Sequence, residues 1–480
     1  MEAVKRAIEK SRSAAHSRRG LLNRRTFCLS ALGAAGLAIG GAGCREKKQG
    51  PPNVILIVLD TVRADHLGCW GYKRRTSPRV DAFAQVSTAY RHAYATAPWT
   101  LPSHATLFTG RHTFQHGIDA SLRTNANGEI EVVEPPVPDS EVMLAETLRE
   151  AGYVTAAFTA NTAYMSMRWN FTQGFNVYDV QRRPGVEMVE PVAAWLRARK
   201  NGPFFLFVNV MDAHFRYNTK PCPGAFDEPV PQDTGLINKL LEAVLPGEKP
   251  ADEQLVRDVT AQYDMGIANA DYAMGLMIDE FKKQGVYDNS LLIVTSDHGE
   301  FLGEHLLAQH SKDLYEEVLH VPLLVKAPGQ RQGRWSDKPV SLIQLYGTMR
   351  NAAGIGQASR APDLESDAPL LAELRYSRPW DVTSPVWGRR FKRIRTAYYE
   401  FPWKIIHSSD DRHEMYHVLE DPAEANNRMA DSPDRARDML ARLAAIKPLS
   451  AASGSGPPAG PLAPELAEQD KEALRANGYL

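Results

Sequence analysis

Three short stretches of the chain carry residue types that could hold a cation or handle an anion. The apolar run Asn53-Val54-Ile55-Leu56-Ile57-Val58-Leu59 ends on Asp60. Pro98-Trp99-Thr100-Leu101-Pro102-Ser103-His104 leads into Ala105-Thr106-Leu107-Phe108-Thr109-Gly110. A second apolar run, residues 291–295, leads into Ser296-Asp297-His298-Gly299-Glu300. An Asp-His pair directly after a strand offers a carboxylate and an imidazole to one divalent ion within a single turn. Taken singly the features are weaker: a strand-terminal Asp is more often a helix cap than a ligand, and Thr100 before a turn could simply be a cap. In this order and at these distances, the three together are specific.

Those residues need a scaffold, and the apolar runs describe one. Runs that are apolar on both faces suit central strands of a sheet covered on both sides by helices. Residues 53–59, 154–159, 204–210 and 291–295 all read this way. The run 154–159 follows a helical segment, 140–151, that stops at Gly152, and 204–210 runs into Met211-Asp212. A long helix is expected over 252–284, with Ile267, Met274, Ile278 and Phe281 at roughly helical spacing. Strands alternating with helices predict an α/β fold with a mostly parallel sheet. In open α/β sheets ligands gather at the carboxyl ends of the strands, where three of these runs place polar, metal-competent residues.

Domain boundaries follow from changes in texture. Residues 53–352 form the α/β domain. Residues 353–447 form a smaller C-terminal α/β subdomain, with strands expected at 393–399 and 403–407 and a helix at 432–446. Residues 448–464, rich in Ala, Ser, Gly and Pro, read as a flexible linker, and 465–480 as a terminal helix. There is no internal repeat.

The net charge of −1 hides an asymmetry. Residues 1–43 hold eight Lys/Arg and two Asp/Glu, leaving the remainder with 48 basic and 55 acidic residues, a net of −7. So acidic a folded part does not fit a nucleic-acid binder; the cluster Arg389, Arg390, Lys392, Arg393, Arg395 is expected to be a solvated strand face. Residues 1–43 read as an export signal: Arg24-Arg25 directly precedes a short stretch rich in Ala, Gly and Leu, a twin-arginine pattern. The stretch ends in Gly41-Ala42-Gly43-Cys44, similar to a lipoprotein cleavage site, with 44–52 as a tether. The expected location is the periplasm or cell envelope, with a lipidated Cys44 as membrane tether; the alternative is an ordinary cleaved signal. An oxidising compartment would permit a Cys69–Cys222 disulfide, although Cys69 also reads as a small buried hydrophobe.

Longer motifs add a resemblance. Leu59-Asp60-Thr61-Val62-Arg63-Ala64-Asp65-His66-Leu67-Gly68 with Thr76-Ser77-Pro78, Met211-Asp212-Ala213-His214, Asp297-His298-Gly299-Glu300, Leu314-Tyr315-Glu316-Glu317, Met415-Tyr416 and Asp421-Pro422 resemble the sulfatase family of the alkaline phosphatase superfamily over roughly residues 52–430. The resemblance implies a sandwich of that type, with one divalent metal (Ca, Mn or Zn) held by Asp60, Asp297 and His298. It places the nucleophile, itself a further metal ligand, at Thr100. It also implies oxyanion contacts at His214 and at Lys312 or His310. A second metal would call on Asp212, His214 and His310. Local readings compete with some of these: His214 bonding within its loop, His305 and His310 as surface residues, Trp99 as packing.

The sequence departs from the family at two places. The family's Cys-x-Pro-x-Arg motif, whose Cys or Ser becomes formylglycine, reads Thr100-Leu101-Pro102-Ser103-His104 here. Thr61 stands where many relatives have a second metal-binding acid or amide. A hydrated formylglycine has two hydroxyls, so its sulfated intermediate can collapse by carbon–oxygen cleavage. A threonine ester has one, so water must attack sulfur or phosphorus itself. That chemistry favours phosphoryl over sulfuryl groups, with His104, His214 and Lys312 balancing charge. The expected function is therefore metal-dependent hydrolysis of sulfate or phosphate esters of a small molecule, glycan or lipid. One alternative is a transferase moving a phospho-headgroup onto envelope acceptors. The other is a non-catalytic protein binding anionic glycans.

Overall fold

The computed structural model describes residues 50–449 except 126, 129, 218, 223–228 and 357–361. The expected signal, lipidation site and terminal helix lie outside the described residues, as does the linker beyond its first two residues. No described helix is long and apolar enough to cross a membrane.

One eight-stranded sheet organises the α/β domain. Its strands in chain order are β1 (Asn53–Leu59), β2 (Thr88–Tyr90), β3 (Val154–Thr159), β4 (Val177–Val180), β5 (Phe204–Val210), β6 (Ser290–Thr295), β7 (Leu323–Lys326) and β8 (Arg334–Ser336). Across the sheet they run β8-β2-β7-β6-β1-β5-β3-β4. Neighbours are parallel except that β7 runs against β6 and β2. The apolar runs expected to be central strands are central: every residue of β1, β5 and β6 is buried. Each large aliphatic side chain so buried contributes ~1.5–3 kcal/mol, which fixes the centre of the sheet firmly.

Helices flank it: α1 (Pro78–Ala84), α2 (Thr100–Thr109), α3 (Gly185–Ala198) and α4 (Glu253–Lys283). Helix α4 is the long helix expected at 252–284. The Asp252 carboxylate accepts from Gln254 N at 2.9 Å and Leu255 N at 3.2 Å, while Lys282 and Lys283 oppose the dipole at its far end. It packs on α3 and α1. A Cβ on Gly266 would stand 2.4 Å from the Asp212 carbonyl, so the missing side chain lets the helix approach the Asp212-Ala213 loop. The helical segment expected at 140–151 is shorter, Leu144–Glu150.

The C-terminal part is a four-stranded antiparallel sheet, β9 (Leu370–Leu374), β10 (Arg395–Glu400), β11 (Trp403–Ser408) and β12 (Glu414–His417), with α5 (Pro433–Ile446) on it. The basic cluster is not a solvated strand face. Arg389 and Arg390 sit in a short helix (Gly388–Phe391), and Arg390 donates to the carbonyls of Val244, Leu245 and Leu306. Arg395 is fully buried and, like Arg393, bonded to Asp313. Cys69 and Cys222 are both free thiols. Cys222 packs on Met265 and Ala268, and Cys69 is only half-buried.

Candidate active site

Residues at the carboxyl edge of the main sheet converge as the strand order requires. Asp60 follows β1, Asn161 lies beyond β3, Asp212 and His214 follow β5, and Asp297 and His298 follow β6. Asn209, within β5, sits in register with Val58 and Thr159 on the two flanking strands. Asn161 and Asn209 both donate to Asp60 Oδ2, at 3.1 and 3.0 Å. One carboxylate oxygen is thereby fixed. The other, Oδ1, has no hydrogen-bond partner in a fully buried position. Asp297 repeats the pattern: its Oδ1 accepts from the backbone N–H of Thr61 (3.3 Å) and His298 (3.1 Å), and its buried Oδ2 makes no hydrogen bond, with the ring nitrogens His298 Nε2 at 3.4 Å and His104 Nδ1 at 3.5 Å.

His298 completes the set. Its Nδ1 lies 2.9 Å from the Gly299 carbonyl, which can only accept, so Nδ1 carries the proton and Nε2 presents its lone pair. Ligand atoms of Asp60, Asp297 and His298 lie within 4.8 Å of one another. Burial and the proximity of Asp297 raise the Asp60 carboxyl to about 7, and burial raises Asp297 to about 7. Two buried carboxylates, each with an unpartnered oxygen, beside an imidazole lone pair form a donor set that fits a divalent cation.

Thr100 stands over this set. It is the first residue of α2, with Trp99 as the extended N-cap residue, so the capping reading of Thr100 fails: its own backbone is already helical. Its Oγ lies 3.4 Å from His298 Nε2 and accepts from Asn161 Nδ2 at 3.4 Å. Ser103 ties the helix down by donating to the Asp297 carbonyl at 2.7 Å. Trp99 donates to Asp119 at 3.1 Å and packs on Tyr164, so it is packing. Thr61 adopts φ 63°, a conformation costly for a β-branched residue. Its hydroxyl lies 2.7 Å from Asp60 O and 2.8 Å from Ala213 O, holding together the loops after β1 and β5. A Cβ on Gly299 would stand 2.0 Å from the Glu317 carbonyl; only glycine lets the loop after β6 lie this close.

The expected charge-balancing residues divide. His104 projects from the buried face of α2 against Phe108, Phe171 and Phe207, with Nδ1 3.0 Å from the Thr100 carbonyl and 3.5 Å from Asp297 Oδ2. Burial lowers it to about 3, so it holds no charge at neutral pH and braces the helix. His214 and His310 do come together: the His310 ring is 5.0 Å from that of His214 and 4.5 Å from that of His298. His214 also bonds the adjacent Phe215 carbonyl. His310 is fully buried with Nδ1 3.1 Å from Glu300 Oε1, so the surface reading fails for it. His305 stacks on Tyr315, ring centroids 3.7 Å apart, away from this group. Lys312 is buried and bonded to Asp381, which also accepts from Ser377 at 2.8 Å; burial brings it down to about 8. Asp212 accepts from Gly185 N at 2.7 Å, so its carboxylate starts α3.

Three contributors escaped the sequence reading, and a fourth, Glu300, was quoted there without a role. Asn209 is the one amide in the apolar run of β5, a visible signal. Asn161 follows the end of β3, and Glu300 follows the Asp-His pair directly. Arg378 had no signal at all. It comes from the C-terminal part, is buried, donates to Gln309 Oε1 (2.7 Å) and Ser311 Oγ (2.9 Å), and stacks over Phe215. Its permanent charge helps to lower the pKa of His214, His298 and His310.

Known proteins are similar to this chain in sequence and in fold. A family model described as Sulfatase matches residues 52–355. An ulvan-active sulfatase of Formosa agariphila is 21% identical over 428 residues, 78% of this chain and 76% of the relative. The N-sulphoglucosamine sulphohydrolase of Homo sapiens is 23% identical over 476 residues, 83% and 90% of the two chains. Among solved structures, the phosphonate monoester hydrolase of Agrobacterium radiobacter matches with a TM-score of 0.64 at 19% identity, over 82% of this chain and 95% of that one. A 2-O GAG sulfatase matches with a TM-score of 0.63 at 16% identity, over 82% and 92%.

Proposed function

The chain belongs to the sulfatase family and is an ester hydrolase of that family, and from that premise we propose that it cleaves sulfate or phosphate esters through Thr100, with a divalent cation held by Asp60, Asp297 and His298. The observation that carries the reading is the Thr100 hydroxyl 3.4 Å from His298 Nε2, above two carboxylates that each keep one buried oxygen without a partner.

A cation bound there lowers the pKa of a coordinated hydroxyl and offsets negative charge on the ester. The protein's own groups do the rest. Asn161 aligns the Thr100 hydroxyl by donating to it and, with Asn209, holds Asp60 in one orientation. The N-terminus of α2 favours the anion that forms on Thr100. His310 lies between His298 and His214 as a ring neighbour of both, and Arg378 contributes a fixed positive charge where the ester oxygens gather. Thr100 attacks the sulfur or phosphorus, the leaving-group oxygen departs, and water then attacks the same atom to free Thr100.

The named relatives include an ulvan-active sulfatase and an N-sulphoglucosamine sulphohydrolase, whereas the single hydroxyl of Thr100 specifically favours phosphate. A matched panel of aryl sulfate, phosphate monoester and phosphodiester, run on metal-loaded protein, decides between them. Turnover that disappears in Thr100→Ala and with a chelator supports the reading. Turnover that persists in both overturns it.

A further inference from the structure

The chain that follows the Asp297-His298 pair folds back on itself before it reaches Lys312, and its backbone is unusually constrained. Residues 301–302 pair antiparallel with 308–309, which returns the His310 ring to 4.5 Å from that of His298. Among the described residues, eight that are not glycine have positive φ, and four of them fall here: His305 (54°), Leu306 (57°), Gln309 (63°) and Ser311 (58°). A residue with a Cβ adopts that conformation at a cost, and it persists only where the surroundings over-determine it. Gln309 and Ser311 stand on either side of His310.

The surroundings that do so come in large part from the C-terminal part of the chain. Arg378, buried beyond the end of β9, donates from Nε to Ser311 Oγ at 2.9 Å, from Nη1 to Gln309 Oε1 at 2.7 Å and from Nη2 to the His310 carbonyl at 3.5 Å. One planar group thus holds three consecutive residues. Asp381, whose N–H donates to the Arg378 carbonyl at 3.0 Å, holds Lys312 just beyond them. From the main domain, Ser311 N donates to the Pro98 carbonyl at 2.9 Å, and Glu300 Oε1 lies 3.1 Å from His310 Nδ1. Pro98 is two residues before Thr100, so the turn that Arg378 grips is fastened to the segment bearing the nucleophile. Charge alone does not call for this geometry. A lysine would supply the same charge from one point, whereas three acceptors in a row need the fixed fork of a guanidinium.

We propose that Arg378 is a positioning residue: its fork holds the strained turn Gln309–Ser311 in place and thereby sets the His310 ring beside His298 and His214. The inference rests on the ester-hydrolase reading above. On that reading a shift of the turn carries the imidazole away from the ester oxygens, and a misplacement of about 1 Å costs up to about a hundredfold in rate.

The test uses the full chain. Arg378→Lys keeps the charge and loses the fork. In metal-loaded protein, below the melting temperature of each variant, it is expected to lower kcat/KM for the best ester by about tenfold or more, with cation content by elemental analysis unchanged. His310→Ala should lower kcat/KM as well, and adding Arg378→Lys to it should change the rate by less than about twofold, because the arginine then has no ring to place. In metal-free protein, hydrogen exchange at residues 309–311 is expected to run about tenfold faster in Arg378→Lys, a readout independent of turnover. If Arg378→Lys does not fold, Gln309→Ala, which removes one acceptor and leaves the arginine, takes its place. Full activity in Arg378→Lys, an equal loss with and without the His310 ring, or unchanged exchange overturns the positioning role and leaves the hydrolase reading standing. Failure of the wild type to turn over any ester overturns that reading, and the exchange rates alone then decide whether the fork holds the turn.

Discussion

Buried charge is handled in opposite ways at two places in this molecule. Where the C-terminal sheet meets the main domain, the buried carboxylates lie against cations, Glu424 Oε1 included at 2.9 Å from Lys404 Nζ. Lys404 Nζ donates to Glu316 Oε1 and Glu424 Oε2, both at 3.1 Å, and Tyr399 adds a 2.8 Å bond to Glu316. Arg395 joins Asp313 (3.1 Å) and Glu414 (2.7 Å). At the carboxyl edge of the main sheet, Asp60 and Asp297 are just as buried, lie close enough to repel, and each keeps an unpartnered oxygen. A buried carboxylate without a partner is costly. The contrast separates charges that fasten two parts together from charges reserved for a ligand.

The most drastic way to sharpen that contrast is to remove the nucleophile. Thr100→Ala is expected to lower kcat for the best ester by at least about a thousandfold while cation content, measured by elemental analysis, stays at the wild-type level. A large residual rate would mean that the hydroxyl above the carboxylates is not the attacking group.

Breaking the fastening charges should act on stability alone. Lys404→Met leaves Glu316 and Glu424 buried without their cation and is expected to cost about 3–5 kcal/mol in denaturant unfolding. Turnover per folded molecule should be retained. An unchanged midpoint would erase the distinction between the two regions.

The ligand carboxylates should respond in the opposite direction. Asp297→Asn removes a charge that the cation-free protein has no partner for, so its melting temperature without metal is expected to rise, by about 1 kcal/mol of stability. Cation binding, followed by calorimetry, should be lost. A fall in the metal-free melting temperature would show that the carboxylate is structural.

pH tests the same pair more gently. Asp60 and Asp297 are both raised to about 7 in the cation-free protein, and a cation requires both ionised. Protons therefore compete below that pH: apparent cation affinity should rise with pH up to about 7 and level off above it. The slope should reach at most about a hundredfold per pH unit, two protons being displaced. A flat profile from pH 5 to 8 would mean that the carboxylates are already ionised without metal.

Much of this could be read from the chain itself. Short, largely apolar runs suit strands buried on both faces, so β1, β3, β5 and β6 were legible with nearly their observed limits, and the polar residues that close them fell at one edge of one sheet. Asp60, Asp297 and His298 were found for that reason, since a polar group at the end of an apolar run stands out locally. Arg378 carries no such mark. It comes from beyond the main domain and reaches Gln309, Ser311 and Phe215 only because the chain returns there. Asn209 does stand out as the amide in the run of β5, but that it and Asn161 single out one oxygen of Asp60, and that Asp381 takes up Lys312, follows only from the fold. His104 shows the reverse: its position in the motif promised a charge, and the aromatic packing beneath α2 removed it. Strand identity and end residues follow from short-range patterns of apolarity, which one chain segment contains in full. Which carboxylate oxygen stays unpartnered, which imidazole stays neutral and where the buried cations sit depend on groups hundreds of residues apart, and only the folded packing brings those within hydrogen-bond reach.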